Sequence, residues 1–125
     1  MAIKKLIVVS FIDKAKDFYS NLVKSVADEE RFGVKNSFNM QLLRSIFHQI
    51  DKIKIKFPRG DPVPKHLIPN KFKKEYNLLN LFHCELTQGW RMLYSFAKGK
   101  DNTEVLCIIS IISSHKEYEK IMGYN

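Results

Sequence analysis

Residues 79–111 read LNLFHCELTQGWRMLYSFAKGKDNTEVLCIISI, and this stretch decides the fold. It holds three largely apolar runs, Leu79 to Leu86, Trp90 to Phe96 and Glu104 to Ile111, parted only by Thr87-Gln88-Gly89 and by the polar segment Ala97 to Thr103. Connections that short join neighbouring strands of opposite direction, so the spacing predicts an antiparallel meander. Side chains alternate across a strand. Phe82, Cys84 and Leu86 therefore share one face with the bulkier row Trp90, Met92, Tyr94 and Phe96, and these are expected to form core. His83, Glu85 and Arg91 then emerge together on the opposite face, provided that no bulge in either strand shifts the parity.

Upstream, Ile3 to Phe11 is rich in β-branched residues and reads as a strand. Asp13 opens a segment with Ala15, Phe18, Tyr19, Leu22, Val23 and Val26 at helical spacing, which ends near Gly33. Ser37 is placed to cap a second helix with an inward stripe of Leu42, Leu43, Ile46, Phe47 and Ile50, stopped at the latest by Pro58 and Gly60. From Pro58 to Asn77 the pattern breaks into loop, with Pro62, Pro64 and Pro69 following; eight basic residues between Lys52 and Lys74 face one acid, Asp61. Downstream, Ser113 to Asn125 is a polar tail carrying Tyr118, Ile121, Met122 and Tyr124, enough for a helical turn or a short helix.

The resulting order, β-α-α-β-β-β, predicts one α+β domain over residues 1–125: an antiparallel meander sheet with the two N-terminal helices on one face and the other face open. The 45% hydrophobic content, including nine Phe and five Tyr, suffices for one core, and the length leaves no room for a second domain. No internal repeat or low-complexity tract is visible.

With 21 Lys plus Arg against 13 Asp plus Glu, the formal charge is +8, and such a surface attracts polyanions. Nucleic acid, anionic membrane and an acidic protein all fit that description. Lys4-Lys5 before Leu6-Ile7-Val8-Val9 has the look of a secretory signal, but the apolar run is too short and no small-residue cleavage site follows. Val105 to Ile112, interrupted by Ser110, is too short to span a bilayer, so a soluble cytoplasmic protein is the expectation. Cys84 and Cys107 sit in apolar strands outside any C-x-x-C or Cys/His spacing and are expected to be buried, inert thiols. Neither metal nor cofactor is expected.

The run from Asn80 to Phe96, continued by an apolar strand and by His115-Lys116-Glu117-Tyr118, resembles the C-terminal half of toxins of the RelE/ParE superfamily. The matching features are a turn glycine, an aromatic, an arginine, two apolar residues and a tyrosine, here Gly89, Trp90, Arg91, Met92, Leu93 and Tyr94. The similarity covers about the last third of the chain; the N-terminal helices agree in order and approximate length. For RelE-like members the resemblance implies metal-independent cleavage of messenger RNA, often on the ribosome, by attack of a ribose 2′-hydroxyl on the adjacent phosphate. It also implies a cognate antitoxin, here expected to be acidic. Arg91 takes the place of the family arginine that stabilises the charged phosphorane. RelE itself carries lysines on the preceding strand, where this chain has His83 and Glu85. His115 and Tyr118 lie where members carry C-terminal catalytic or base-stacking residues.

Internal transfer at phosphorus needs a base for the 2′-OH proton, a cation for the extra charge and an acid for the leaving 5′-oxygen. Glu85 or His83, then Arg91, then His115 are the candidates in that order. Imidazoles titrate near neutrality, which puts His83 and His115 ahead of His48 and His66 as proton carriers only through their placement. Arg91 can equally close an ion pair with Glu85 across the hairpin. Lys65, Lys71, Lys73, Lys74 and Lys116 are candidates for RNA-backbone contacts, or a solvated cationic surface. Trp90 and Tyr94 are expected to pack in the core, leaving Tyr118, in the polar tail, as the stacking candidate. Two other readings stay open: a ParE-like inhibitor of DNA gyrase, which needs no acid and base, and a basic nucleic-acid-binding protein without activity.

Overall fold

The computed structural model describes residues 6–55, 61–75 and 80–123, and the statements below concern those residues. The expected helix stop at Pro58 and Gly60, and Tyr124 of the tail, lie outside them. The elements are β1 (Leu6–Phe11), α1 (Asp13–Arg31), α2 (Phe38–Ile55), β2 (Asp61–Pro62), a 3-10 turn at Lys65–Leu67, α3 (Asn70–Glu75), β3 (Phe82–Glu85), a 3-10 turn at Thr87–Gly89, β4 (Arg91–Lys98), β5 (Glu104–Ser113) and α4 (His115–Met122). No helix among the described residues is long and apolar enough to cross a membrane.

The protein is mixed α+β, with a five-stranded sheet in the order β1-β5-β4-β3-β2. The expected antiparallel meander is present as β3-β4-β5, with Cα partners such as Glu85 and Arg91, and Arg91 and Ser113. The sheet as a whole departs from that expectation, because β1 joins β5 in parallel, from Leu6 opposite Glu104 to Phe11 opposite Ile109. Connection length reveals hairpins, whereas the three α-helices and three strands described between β1 and β5 hide their pairing. The segment expected to be loop supplies β2, which pairs Pro62 with Phe82 at the sheet edge, where a missing N–H is tolerated. It also supplies α3.

Each face of the sheet has its own core. On the first, Cys84, Leu86, Met92, Tyr94, Cys107, Ile109 and Ile112 pack against Ala15, Leu22 and Val26 of α1 and Met40, Leu42, Ile46, Ile50 and Ile53 of α2. This is the face on which the two helices were expected. Ser37 caps α2 through its Oγ, which accepts from Met40 N–H at 3.1 Å. Phe47, expected to point inward, is 44% exposed and meets Tyr19 edge-on at the rim of the helical pair.

The second face, expected to be open, is largely covered. Leu81, Leu93 and Ile111 pack there with Val63, Ile68 and Phe72 of the β2–α3 region and with Tyr118 and Met122 of α4. Phe72, Leu93 and Leu81 are all at most 1% exposed. The proline-rich composition marked irregular backbone but concealed this small apolar set, whose residues are too widely spaced to show a period. A register shift between Leu93 and Tyr94 places the bulge in β5, at Ser110, whose hydroxyl donates to Leu93 O at 3.4 Å. Parity in β3 and β4 is therefore undisturbed.

Candidate functional site

The site is built around the β3–β4 turn. Gln88 and Gly89 both take positive φ, 52° and 79°. A side chain at Gly89 would be strained by that conformation, and its Cβ would meet His115 Cβ at 3.9 Å, an ordinary contact that shows the start of α4 lying beside the turn. Helix α2 steadies the turn from the other side: Gln49 Nε2 donates to Glu85 O at 3.0 Å, and Thr87 N–H donates to Ser45 Oγ at 3.3 Å.

Arg91 leaves β4 on the second face, as parity predicts. Its Nη1 donates to Gly89 O at 2.9 Å and to Glu85 Oε1 at 3.2 Å, and its Cζ lies 5.7 Å from the centroid of the Tyr118 ring. The expected ion pair with Glu85 is thus formed. Among the described residues every hydrogen bond of this guanidinium runs through Nη1, so the Nε–Nη2 edge is free of protein partners. Arg91 is 18% exposed by side chain and Glu85 is 70% exposed, so the pair is screened and contributes at most ~1 kcal/mol.

His115 begins α4, and Ser114 caps that helix by accepting from Glu117 N–H. The imidazole Nε2 meets Glu119 Oε1 at 2.6 Å, one turn further on, with 55% of the His115 side chain exposed. When neutral, an imidazole donating through Nε2 presents Nδ1 as acceptor. Glu119 was missed in the sequence; its i,i+4 spacing from His115 becomes meaningful only once the tail is known to be helical.

Tyr118 is where expectation and structure part. It is 5% exposed, part of the second core, with its ring 5.8 Å from that of His83 and beside Arg91. Burial removes it as an open stacking platform and makes it the packed wall between His83 and Arg91. An alternation of apolar residues in α4, with Tyr118, Ile121 and Met122 on one side, accounts for this, and the polar neighbours masked it in the sequence. Trp90 packs toward the helices as expected, 5.6 Å from Phe18 and 5.5 Å from Phe38. Tyr94 is fully buried against Phe82 and Phe96.

Lys65, Lys71, Lys73 and Lys74 are exposed on the 3-10 turn and α3, the elements that cover the second face, and Lys116 is exposed in the first turn of α4. His48 and His66 are exposed on α2 and on the 3-10 turn, away from this grouping in the fold. Cys84 and Cys107 are buried and not disulfide-bonded; burial, with a smaller contribution from Cys84, pushes the Cys107 thiol up to about 12. No group of three or more His, Cys, Asp or Glu side chains suited to hold a metal ion occurs among the described residues. The arrangement thus offers a guanidinium whose Nε–Nη2 edge has no partner among the described residues, an exposed carboxylate beside it, and a carboxylate-held imidazole across the turn.

Comparison of the chain with protein-family models, with curated proteins and with solved structures finds no match.

Proposed function

We propose that this protein is a RelE/ParE-like toxin that cleaves messenger RNA, on the ribosome or free, and that an acidic antitoxin holds it in check in the cytoplasm. The observation that carries the reading is the Arg91 guanidinium, anchored by Nη1 to Gly89 O and Glu85 with its Nε–Nη2 edge unpartnered among the described residues. That edge is the fork with which arginine binds two phosphate oxygens.

In the reaction, Glu85 or His83 removes the proton from a ribose 2′-hydroxyl, and the 2′-oxygen bonds to phosphorus. Arg91 compensates the charge that accumulates on the phosphorane. As the P–O5′ bond breaks, protonated His115 delivers a proton to the 5′-oxygen, leaving a 2′,3′-cyclic phosphate and a 5′-hydroxyl. Glu119 holds the imidazole through Nε2, which leaves Nδ1 as the atom that carries the transferred proton. The lysines of α3 and Lys116 add salt-sensitive affinity for the RNA backbone.

The test is purified protein with single-stranded RNA, and with translating ribosomes, alongside Arg91→Ala and His115→Ala. The expectation is cleavage to cyclic-phosphate ends, lost in both variants. A wild-type protein that leaves RNA intact in both settings overturns the reading. One observation favours a non-catalytic relative: Glu85 occupies Arg91 in place of the lysines of RelE. Binding to RNA or to DNA gyrase without cleavage would establish that alternative.

A further inference from the structure

Strand β1 ends at Phe11, opposite Ile109, but β5 runs on to Ser113. The strand position vacated beside residues 111–114 is a cleft of about 370 Å³. Its walls include Lys14 and Phe18 of α1, Trp90, Lys71 of α3, Ser113 and Glu117. This volume lies at the small end of the range for small-molecule sites, about 300–1,000 Å³.

The chemistry of the walls is specific. The lining is mainly apolar, and the rings of Trp90 and Phe18, 5.6 Å apart, give it an aromatic side. Both lysines are exposed, and neither is ion-paired among the described residues. Ser113 is 7% exposed, and its buried hydroxyl has no partner among the described residues. Glu117 contributes a group that accepts hydrogen bonds, as the amino group of a base requires. A flat aromatic ligand bearing an anion matches this combination: the ring is buried against Trp90 and Phe18, and two cations meet the phosphate.

We infer that this cleft is a nucleotide subsite, taking one base and its phosphate from the RNA strand next to the bond being cut. Ser113 pairs with Arg91 across the sheet, and Ser114 precedes His115, so the cleft adjoins the proposed reacting groups. Its role in cleavage rests on the RNA-cutting reading, but its occupancy does not require cleavage. Lys14, which no sequence pattern marked, then joins Lys71 as a phosphate-binding residue.

Trp90 is the sole tryptophan, so its indole N–H gives one assignable NMR resonance at the cleft wall. The full chain is titrated with AMP, CMP, GMP and UMP, with the corresponding nucleosides, and with inorganic phosphate. The expected result is a saturable shift of that resonance with at least one nucleotide, at affinity tenfold or more above its nucleoside and above phosphate. The Lys14→Ala/Lys71→Ala double variant, changed only at exposed positions, should weaken binding at least tenfold while keeping its circular dichroism. No saturable shift, a nucleoside binding as well as its nucleotide, phosphate alone binding as well as any nucleotide, or indifference to the double variant each overturns the inference. Loss of the cleavage reading leaves these outcomes intact, so the two fail separately.

Discussion

The two faces of the sheet are built from alternate residues of the same strand, and they differ in kind. Toward α1 and α2, β4 presents Met92 and Tyr94, both fully buried in a continuous apolar core that, among the described residues, includes the Cys84 and Cys107 thiols and the Tyr94 phenol. Toward α3 and α4 it presents Arg91, Leu93 and Ser95, in a smaller core that gives way at the turn end to Arg91, His83 and Glu85. The first face is sealed because its described side chains are overwhelmingly apolar. The second is sealed only up to Tyr118, and its charges collect where the cover stops. Apolar packing and ionisable groups are thereby divided by the parity of one strand.

The sharpest way to break that division is to remove side chains from each row in turn. Tyr94→Ala should cost ~3–5 kcal/mol by urea unfolding, as for loss of a large buried ring, with no specific effect on RNA cleavage in the fraction that stays folded. Arg91→Ala should do the opposite: a fall of about 10²–10³ in the single-turnover rate with unfolding free energy changed by no more than ~1 kcal/mol. A large stability loss in Arg91→Ala would mean that the guanidinium is a structural keystone of the turn. Ser114→Ala, which removes the cap of α4, should cost ~1 kcal/mol, and that cost should register in the amide exchange of α4 and α3 before that of α1 and α2.

The smallest effect concerns Cys107. Its thiol is pushed up to about 12 from an ordinary 9.0, so between those values the unfolded chain releases a proton that the folded one retains. The unfolded state then binds fewer protons, and stability falls as pH rises through this window. Against the wild type, Cys107→Ala should show a shallower decline of unfolding free energy above pH 9, and an unchanged slope below it.

Much of this division was legible in residues 79–111, because hairpins are local and a period of two assigns every side chain a face. The core role of Tyr94 and the placement of Arg91 beside Glu85 follow from it, while the Ser37 cap was legible separately, from its place before the α2 stripe. What escaped reading was non-local. The parallel partnership of β1 and β5 depends on chain that intervenes between them. The cover over the second face is assembled from Val63, Ile68, Phe72 and Tyr118, four apolar residues scattered through two polar segments. The same scatter made Tyr118 look solvent-facing and hid the His115–Glu119 pair, since helical spacing cannot be counted until a helix is known.

The parallel alignment of the first strand with the last has a kinetic meaning. Leu6 to Phe11 is made well before β5, its neighbour in the sheet among the described residues. Such long sequence separation slows folding, since loop closure must precede the contacts that reward it. Both catalytic candidates, Arg91 and His115, lie in that late-made portion. A nascent chain that stops short of β5 and α4 therefore has neither a closed sheet nor His115 beside the β3–β4 turn.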